Sequence, residues 1–230
     1  MVVPATAGQL RENLSDMKIG DYIVWKYDNT ISGYIFGGST NGYTEIPLTG
    51  NPLASMPLKY FWYAIKVDKG LLIADRVTSN TITWDWLNSN KFVEGSPRII
   101  SETSGVVRCP SGGVIYADAN GKKSNADLGL GAFPTINEWD EYIKNGHLGG
   151  KVQPNDDNVW HHHNVFSWAK ESPAIGTWTT NAGTSLSATN TSRIVRGYES
   201  RSDNRGVAFT GSSASQNYIG FRPVFEYKEV

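Results

Sequence analysis

The stretch "DDNVWHHHNVFSW", residues 156–168, concentrates the side chains of this chain that are best suited to binding a metal. Three of the four histidines in the 230-residue sequence are consecutive here. If the stretch is a β-strand, His161 and His163 lie on one face, because side chains alternate between the two faces. Two histidines with this spacing can bind zinc when one or two further ligands are added. The candidates for those ligands are His147, Asp156 and Asp203.

The beginning of the same stretch offers oxygen ligands instead of nitrogen ligands. Asp156, Asp157 and Asn158 are consecutive, and hard cations such as calcium bind where several oxygens converge. The same three residues are also typical of an ordinary turn that enters a strand. A calcium site and a turn without a metal are therefore both open for this segment.

Composition excludes several classes of partner. The chain has a formal net charge of −1 and is 19% charged, so it has no excess of basic residues with which to bind nucleic acid or an anionic membrane. No apolar run approaches the length that spans a membrane, so no membrane insertion is expected. The opening residues lack the basic and apolar regions of a secretion signal. Cys109 is the one cysteine, which excludes an internal disulfide and a multi-thiolate zinc site.

Apolar periodicity predicts short strands along most of the chain. The clearest are "DYIVWKYD", "YFWYAIKV" and "GLLIADRV" in the first third, and "NVWHHHNVFSW", "RIVRGYE" and "IGFRPVFEY" after residue 150. Between these groups, Ile82, Trp86 and Leu87 have the spacing of one face of a helix.

Two further helices are predicted. Residues 6–16 form a short one with Leu10 and Leu14 four positions apart. In "PTINEWDEYIKNG", Thr135 and Glu138 have the spacing of a capping box, which makes Glu138 a helix cap and not a catalytic acid. The apolar stripe of that helix is Ile136, Trp139 and Ile143. Without internal repeats or a clear linker, we expect one domain over 18–230, preceded by a helical connector or oligomerisation segment over 1–17.

The order of four motifs resembles a known family. "PTINEWDEYI", "DNVWHHHNVFSW", "RIVRGYES" and "GFRPVFEY" are similar to the signature motifs of the formylglycine-generating and sulfatase-modifying enzymes. The resemblance spans roughly residues 18 to 228. It implies an α+β fold of the C-type-lectin type, with a small twisted antiparallel β-core, two flanking helices and long loops. In this setting Arg196 and Arg222 are interpreted as structural residues that bridge carbonyl groups at strand ends.

The departures from the family pattern bear on activity. The oxygen-dependent enzymes of the family use two cysteines near the C-terminus, and residues 201–223 here contain none. Because a thiolate is essential to that reaction, formylglycine-generating activity is not expected. His161 and His162 stand where the family motif has glutamate and tryptophan, so the histidines are interpreted as scaffold in preference to a zinc site. Calcium binding in some family members makes Asn158 the residue to which a calcium ligand would be carried over.

The pattern "GDYI…ADR…NVW…SW…RGY…GFRPVFEY" also looks like that of a second group of proteins with this type of fold, whose role is binding. These are the variable proteins of diversity-generating retroelements and the tail receptor-binding proteins of phages. The resemblance implies a non-enzymatic protein that recognises a bacterial surface glycan or protein and contacts other tail or fibre proteins. We expect it to be made in the cytoplasm without a signal peptide and displayed on a virion tail or another extracellular particle, as a homotrimer by analogy.

The predicted ligand-binding surface lies in the loops just before "GFRP". Aromatic and hydrogen-bonding side chains are mixed there, as in recognition loops on rigid scaffolds. The predicted contacts are Trp178, Tyr198, Glu199, Arg201, Asp203, Asn204, Phe209, Gln216, Asn217 and Tyr218. An ordinary solvated loop is the alternative for the segment, and a core position is the alternative for Trp178.

An enzymatic alternative is a surface-polysaccharide depolymerase. Glycoside hydrolysis needs two carboxylates at a suitable separation, and sequence alone cannot exclude such a pair. Asp75, Asp85, Glu94 and Asp203 are available, but their sequence positions single out no pair.

Overall fold

Antiparallel strand pairing dominates the computed structural model, which describes residues 2–198 and 206–229. Strands account for 37% of the chain and helices for 10%, and the largest sheet curls into a half-barrel. The predicted α+β fold with two flanking helices is therefore wrong. Two of the three predicted helices do not form as α-helices, as described below.

The strands are numbered in chain order. Those of the first half are β1 (Leu10–Arg11), β2 (Tyr22–Asp28), β3 (Gly33–Phe36), β4 (Thr44–Glu45), β5 (Asn51–Pro52), β6 (Lys59–Asp68), β7 (Leu71–Ala74), β8 (Ser79–Asn80), β9 (Ser96–Ile100) and β10 (Thr103–Arg108). Those of the second half are β11 (Ile115–Ala117), β12 (Lys123–Ser124), β13 (Ala132–Phe133), β14 (Phe166–Trp168), β15 (Gly176–Thr179), β16 (Ser185–Ala188), β17 (Ser192–Gly197), β18 (Val207–Gly211), β19 (Ile219–Phe221) and β20 (Val224–Tyr227).

The helical segments are short. They are the α-helices α1 (Trp84–Ser89) and α2 (Asp157–Trp160), a π-helical segment Trp139–Lys144, and the 3₁₀ turns Leu14–Asp16 and Leu53–Ser55. Within the described ranges no helix is long and apolar enough to cross a membrane.

Two larger sheets form the body of the protein. The main sheet has the order β1-β2-β6-β7-β20-β10-β9, with β3 paired to β2 and β4 paired to β6. The second sheet has the order β18-β17-β14-β19-β8-β5. Two small sheets, β12-β11-β13 and β15-β16, accompany them. The last strand, β20, thus lies inside the main sheet between β7 and β10.

The core lies between the two larger sheets. Trp25 and Leu72 of the main sheet belong to one buried cluster with Trp168 and Phe221 of the second sheet. The alternation of β6 explains how one strand serves two clusters, because Trp62 faces this core and Ile65 faces another. That other cluster packs the π-helical segment and α2 against the main sheet. Full burial of each such side chain contributes about 1.5–3 kcal/mol.

The predicted N-terminal helix over 6–16 is wrong. Leu10 and Arg11 form β1, which pairs in parallel with β2, and only one 3₁₀ turn follows. Side-chain and main-chain bonds hold the segment extended: the Asp21 carboxylate accepts the N–H of Gln9, and the Tyr22 N–H donates to the Gln9 carbonyl. Earlier in the segment, the Ala7 N–H donates to the carbonyl of Lys151 at 2.9 Å. An oligomerisation role for residues 1–17 stays a prediction.

The predicted capping box of Thr135 and Glu138 is also wrong. The side-chain oxygen of Asn137, not of Thr135, accepts the Asp140 N–H at the start of the π-helical segment. Glu138 instead binds Arg108 through both carboxylate oxygens. Ile136 is 85% exposed and lies outside the predicted apolar stripe, whereas Trp139 and Ile143 are buried as predicted.

Several local predictions are confirmed. The strands predicted over "DYIVWKYD" and "YFWYAIKV" form as β2 and β6, and those over "GLLIADRV" and "RIVRGYE" form in their first parts as β7 and β17, with Glu199 outside the described residues. The helix predicted from Ile82, Trp86 and Leu87 forms in part as α1, but Ile82 precedes the helix and Trp86 faces outward. "IGFRPVFEY" splits into β19 and β20, which belong to different sheets. Pro223 lies at the break, where its lack of an N–H ends the ladder.

Candidate functional site

The segment that carries the three histidines is a turn and not a strand. Its first part is the four-residue helix α2, capped by Asp156, whose Oδ1 accepts the Asn158 N–H at 3.0 Å. His161 ends the helix with φ 45° and ψ 55°, in the left-handed region. Pairing resumes only at Phe166 in β14. We refer to residues 156–163 as the histidine turn.

Because the segment turns, the three histidines occupy different environments. His161 is buried, and its Nε2 lies 3.9 Å from Asp75 Oδ2, beyond hydrogen-bonding distance. His162 is fully buried, and its Nε2 lies 2.9 Å from the side-chain oxygen of Asn155. The His163 side chain is 37% exposed. The zinc hypothesis required His161 and His163 to lie on the same face of a strand, and they do not.

A different set of potential metal ligands converges. Asp157, His162 and His163 each offer one ligand atom, and these atoms lie within 4.8 Å of one another. The Asp157 Oδ1 accepts the backbone N–H groups of His162 at 2.6 Å and of His163 at 2.8 Å. Its Oδ2 lies 3.9 Å from His163 Nδ1. Sequence reasoning missed Asp157 and His162 as partners, because it assumed a strand.

The turn controls the protonation of these groups. Burial lowers the pKa of His162 to about 3, so its imidazole is neutral at physiological pH. Burial alone would raise the pKa of Asp157, but the N–H groups of His163 and His162 outweigh it and lower that pKa. An ionised carboxylate therefore faces neutral imidazole nitrogen at His162.

The proposed calcium ligands are engaged with each other. Asp156 Oδ1 accepts both the backbone N–H and the side-chain amide of Asn158. Both bonds are local, as expected for a helix cap. The structure therefore gives Asp156 and Asn158 a role in starting α2, and calcium binding there stays a prediction.

Two buried arginines bind backbone carbonyl groups in this part of the protein, and one of them, Arg222, contacts the histidine turn directly. Arg222 donates to the carbonyls of Trp160 at 2.7 Å and Ala74 at 2.8 Å. Arg196 donates to the carbonyls of Gly206 and Gly112 at 2.6 Å each. The structural role predicted for both arginines is confirmed. Both guanidinium groups also lie 5.6 Å from the centroid of the Trp139 ring.

The predicted recognition residues fall into separate places. Glu199, Arg201, Asp203 and Asn204 lie outside the described residues. Trp178 is 1% exposed, and its ring packs edge-on against Tyr116 and Phe209 in a separate core cluster. Its indole N–H donates to the Ala174 carbonyl at 3.0 Å. The indole of Trp178 thus has no exposed face on which a ligand could stack, so its position corresponds to the core alternative.

Tyr198 and Tyr218 do come together. Their ring centroids are 5.7 Å apart, and Tyr198 stacks on Phe166 at 5.1 Å. Tyr198 also joins the histidine turn, since its N–H donates to the His162 carbonyl at 2.8 Å. Gln216 and Asn217 are exposed nearby in sequence. A binding role for these four residues stays a prediction.

A second surface, which the sequence did not single out, is an aromatic cleft. One row of rings runs across three strands: Tyr34 on β3, Tyr27 on β2 and Tyr60 on β6 are direct cross-strand partners. Neighbouring centroids in this row are 5.1 and 5.2 Å apart. Two positions further along each strand, Phe36, Trp25 and Trp62 form a parallel row that is buried.

The remaining lining of the cleft comes from α1 and the segment that follows it. Trp86 is 40% exposed and stacks on Phe92, with centroids 6.2 Å apart and planes 8° apart. The Arg98 guanidinium lies 5.4 Å from the Phe92 centroid. The deeper part of the cleft has a cavity volume of about 100 Å³. We define the aromatic cleft by Tyr27, Tyr34, Tyr60, Trp86, Phe92 and Arg98.

The cleft can offer both apolar contact and hydrogen bonding. Aromatic faces contact the apolar faces of sugar rings or other flat ligands, and phenol and guanidinium groups supply directional donors. Burial raises the pKa of Tyr34 to about 12, so its hydroxyl keeps its proton at physiological pH. The signal for this site was present in the sequence: aromatic residues alternate with period two in "WKY" of β2 and "YFW" of β6.

The C-terminal loop and the cleft are connected through α1. Ser212 Oγ donates to Asp85 Oδ2 at 3.0 Å, and the Thr81 N–H donates to the Gln216 carbonyl at 3.1 Å. Residues 212–216 thus lie beside the start of the helix that carries Trp86.

The carboxylates considered for a depolymerase are scattered. Asp75 is fully buried and paired with Arg76 at 2.7 Å. Asp85 is exposed and accepts a hydrogen bond from Ser212, Glu94 is exposed, and Asp203 lies outside the described residues.

Comparisons with protein-family models, curated proteins and solved structures gave no match. Functional proposals therefore rest on the residues themselves.

Proposed function

We propose that this protein is a non-enzymatic recognition protein that binds a bacterial surface glycan through the aromatic cleft. The observation that carries the proposal is the half-buried row of Tyr34, Tyr27 and Tyr60 beside the exposed Trp86. Rings held in place by their neighbours bind with little loss of conformational entropy, which favours ligand stacking.

The polar groups around the cleft suit a sugar better than a purely apolar ligand. Asn29 and Ser32 are exposed at the shallow part of the cleft, and Arg98 is half-buried beside Phe92. Thr78 and Ser79 lie in the deeper part. Hydroxyl, amide and guanidinium groups around an apolar floor match the alternating apolar and hydroxyl faces of a pyranose.

The setting of this activity is part of the proposal. The pattern "GDYI…ADR…NVW…SW…RGY…GFRPVFEY" resembles that of phage tail receptor-binding proteins, which supports display on a virion tail or similar particle. Contacts with other tail or fibre proteins and a homotrimeric state follow from the same resemblance. In this setting the exposed Gln216 and Asn217 add polar contacts beside α1.

The test is co-sedimentation of the protein with purified bacterial cell-wall polysaccharide. The variants are Trp86→Ala and Arg98→Ala, and the matched control is Ile136→Ala, which removes an exposed apolar side chain that does not line the cleft. We expect at least a tenfold loss of affinity for the double variant Trp86→Ala/Arg98→Ala and no change for the control. Unchanged binding by the double variant would overturn the assignment of the cleft as the glycan-binding site. Release of new reducing ends from the polysaccharide would overturn the non-enzymatic role.

A further inference from the structure

We propose that Asp157, His162 and His163 form a binding site for a divalent transition metal of the zinc class. The observation that suggests it is the convergence of one carboxylate and two imidazoles within 4.8 Å at the histidine turn. The three residues lie within seven consecutive positions, 157–163, that include α2 and its C-terminal end, so their relative placement is set by the backbone of the turn itself.

The buried His162 is the strongest argument for a cation. Its Nε2 lies 2.9 Å from the side-chain oxygen of Asn155, and an oxygen acceptor requires that Nε2 carry the proton. Its Nδ1 therefore carries a lone pair, and this atom is buried without a hydrogen-bond partner among the described residues. The nearest acidic atom, Asp157 Oδ1, lies 3.6 Å away. Two acceptors facing each other at this distance are stabilised by a cation bound to both groups.

The contact between His162 and Asn155 is also what a metal-binding histidine requires. Imidazoles that ligate metals usually donate their second ring N–H to an oxygen, which fixes the tautomer and the orientation of the ring. Asn155 is itself held, since its backbone N–H donates to the Ile143 carbonyl at 3.2 Å. The edge of the Trp139 ring packs against the His162 ring on another side, with centroids 5.9 Å apart.

Asp157 is similarly oriented by the protein. Two backbone N–H groups hold its Oδ1, which leaves Oδ2 to face His163 Nδ1 at 3.9 Å. Zinc bonds of about 2.0–2.1 Å place tetrahedral ligand atoms about 3.4 Å apart. Ligand atoms within 4.8 Å reach that spacing after each moves by less than about 1 Å.

The set of donors selects the class of metal. Two nitrogens and one carboxylate suit Zn²⁺, Co²⁺ or Ni²⁺, whereas Ca²⁺ requires six to eight oxygens. Asp157 and His163 are 35% and 37% exposed, so solvent reaches the site and water can complete the coordination. This site shares no residue with the aromatic cleft, and its failure is independent of the proposed glycan binding.

The experiment is calorimetric titration of the full chain with ZnCl₂ after removal of metals with a chelator, with metal content checked by mass spectrometry. The variants are His163→Ala and Asp157→Asn, and the matched control is His147→Ala, an exposed histidine beside Glu141. We expect one zinc per chain in the parent and the control. In both site variants we expect zinc affinity to fall at least tenfold, because each loses a ligand.

Four outcomes would overturn the site. In the parent protein they are the absence of zinc binding at micromolar concentration and a preference for Ca²⁺ over Zn²⁺. In the variants they are full zinc binding in His163→Ala/Asp157→Asn and loss of zinc binding in His147→Ala. Far-ultraviolet circular dichroism of each variant confirms that it is folded, and His163→Gln provides a second substitution of the half-exposed ligand if His163→Ala is not.

Discussion

Arg196 Nη2 lies 2.6 Å from Asp140 Oδ1, and the two side chains form a buried ion pair that joins β17 to the π-helical segment. The other oxygen of Asp140 accepts the N–H of Ala132 and the side-chain amide of Asn137. The remaining donors of Arg196 reach carbonyl groups. A pair with every group satisfied in this way stabilises one arrangement of the elements beneath the histidine turn.

Removal of one member of this pair should be costly. In Asp140→Ala, Arg196 stays buried without its counterion, and we expect the free energy of unfolding to fall by about 3–5 kcal/mol. Urea denaturation followed by circular dichroism measures the loss. Lys59→Ala, which removes the half-exposed member of an ion pair and leaves Asp28 with its hydrogen bonds from Thr30 and Tyr43, is the control and should leave the midpoint almost unchanged. A loss below about 1 kcal/mol in Asp140→Ala would show that the pair contributes no stability.

The same pair predicts how stability depends on pH. Burial opposes the charge of Asp140, but the Arg196 charge and the hydrogen bonds from Arg196, Asn137 and Ala132 outweigh it and lower the pKa of Asp140. A group whose folded pKa is lowered contributes stability above its unfolded pKa of about 3.9, and this is lost as pH falls through the folded pKa. The difference in unfolding free energy between the parent and Asp140→Asn should therefore be constant near neutral pH.

Below about pH 4 that difference should shrink. Urea titrations of both proteins at a series of pH values measure it. Comparison of the two proteins cancels other groups, such as Glu171, whose pKa burial raises. A difference that stays constant down to pH 2 would contradict the ionised state assigned to Asp140.

Substitutions of Thr135 and Glu138 distinguish the predicted capping box from the observed pairing of Glu138 with Arg108. A capping threonine contributes about 0.5–2 kcal/mol, but Thr135 is exposed and caps nothing, so Thr135→Ala should change the unfolding free energy by less than about 0.5 kcal/mol. Glu138→Ala removes both bonds to Arg108, and we expect a loss of about 1.5–3 kcal/mol. Thermal or urea unfolding checks both, and equal effects of the two substitutions would favour the capping box.

Local strands could be predicted from the sequence because their signal is local. The apolar runs of β2, β6 and β7 specify strands wherever they lie, and Arg196 and Arg222 could be assigned to structural roles from their motifs. The helix over 6–16 could not be excluded in the same way. Its two leucines fit a helix, but a parallel partner in β2 and the Asp21 carboxylate compete for its backbone.

The candidate sites depended on contacts that no local pattern contains. The histidine alternation assumed an extended backbone, and the left-handed conformation of His161 changed which histidines meet. The aromatic cleft requires three strands in register and a helix from another part of the chain. The sequence allowed Trp178 to be either a ligand-contacting residue or a core residue. Only its packing against Tyr116 and Phe209 decides for the core.

The aromatic residues predicted to bind a ligand before "GFRP" are also part of the packing. Tyr198 stacks on Phe166 and Phe209 packs on Trp178, so replacing Tyr198, Phe209 and Tyr218 with alanine should lower the melting temperature. We expect a combined loss above about 3 kcal/mol. Gln216→Ala/Asn217→Ala, at exposed positions, is the control and should melt as the parent does. An unchanged melting temperature for the triple variant would place these rings outside the core.

Trp86 provides an optical readout of the cleft. All eight tryptophans lie within the described ranges, and seven of them are buried, so a collisional quencher such as acrylamide should reach the indole of Trp86 almost alone. We expect Trp86→Phe to remove most of the quenchable fluorescence while its stacking partner Phe92 keeps the cleft wall in place. A glycan bound in the cleft should protect the parent from acrylamide and leave the residual quenching of Trp86→Phe unchanged. Equal quenching of the parent and Trp86→Phe would show that another indole is accessible and that Trp86 does not face the solvent.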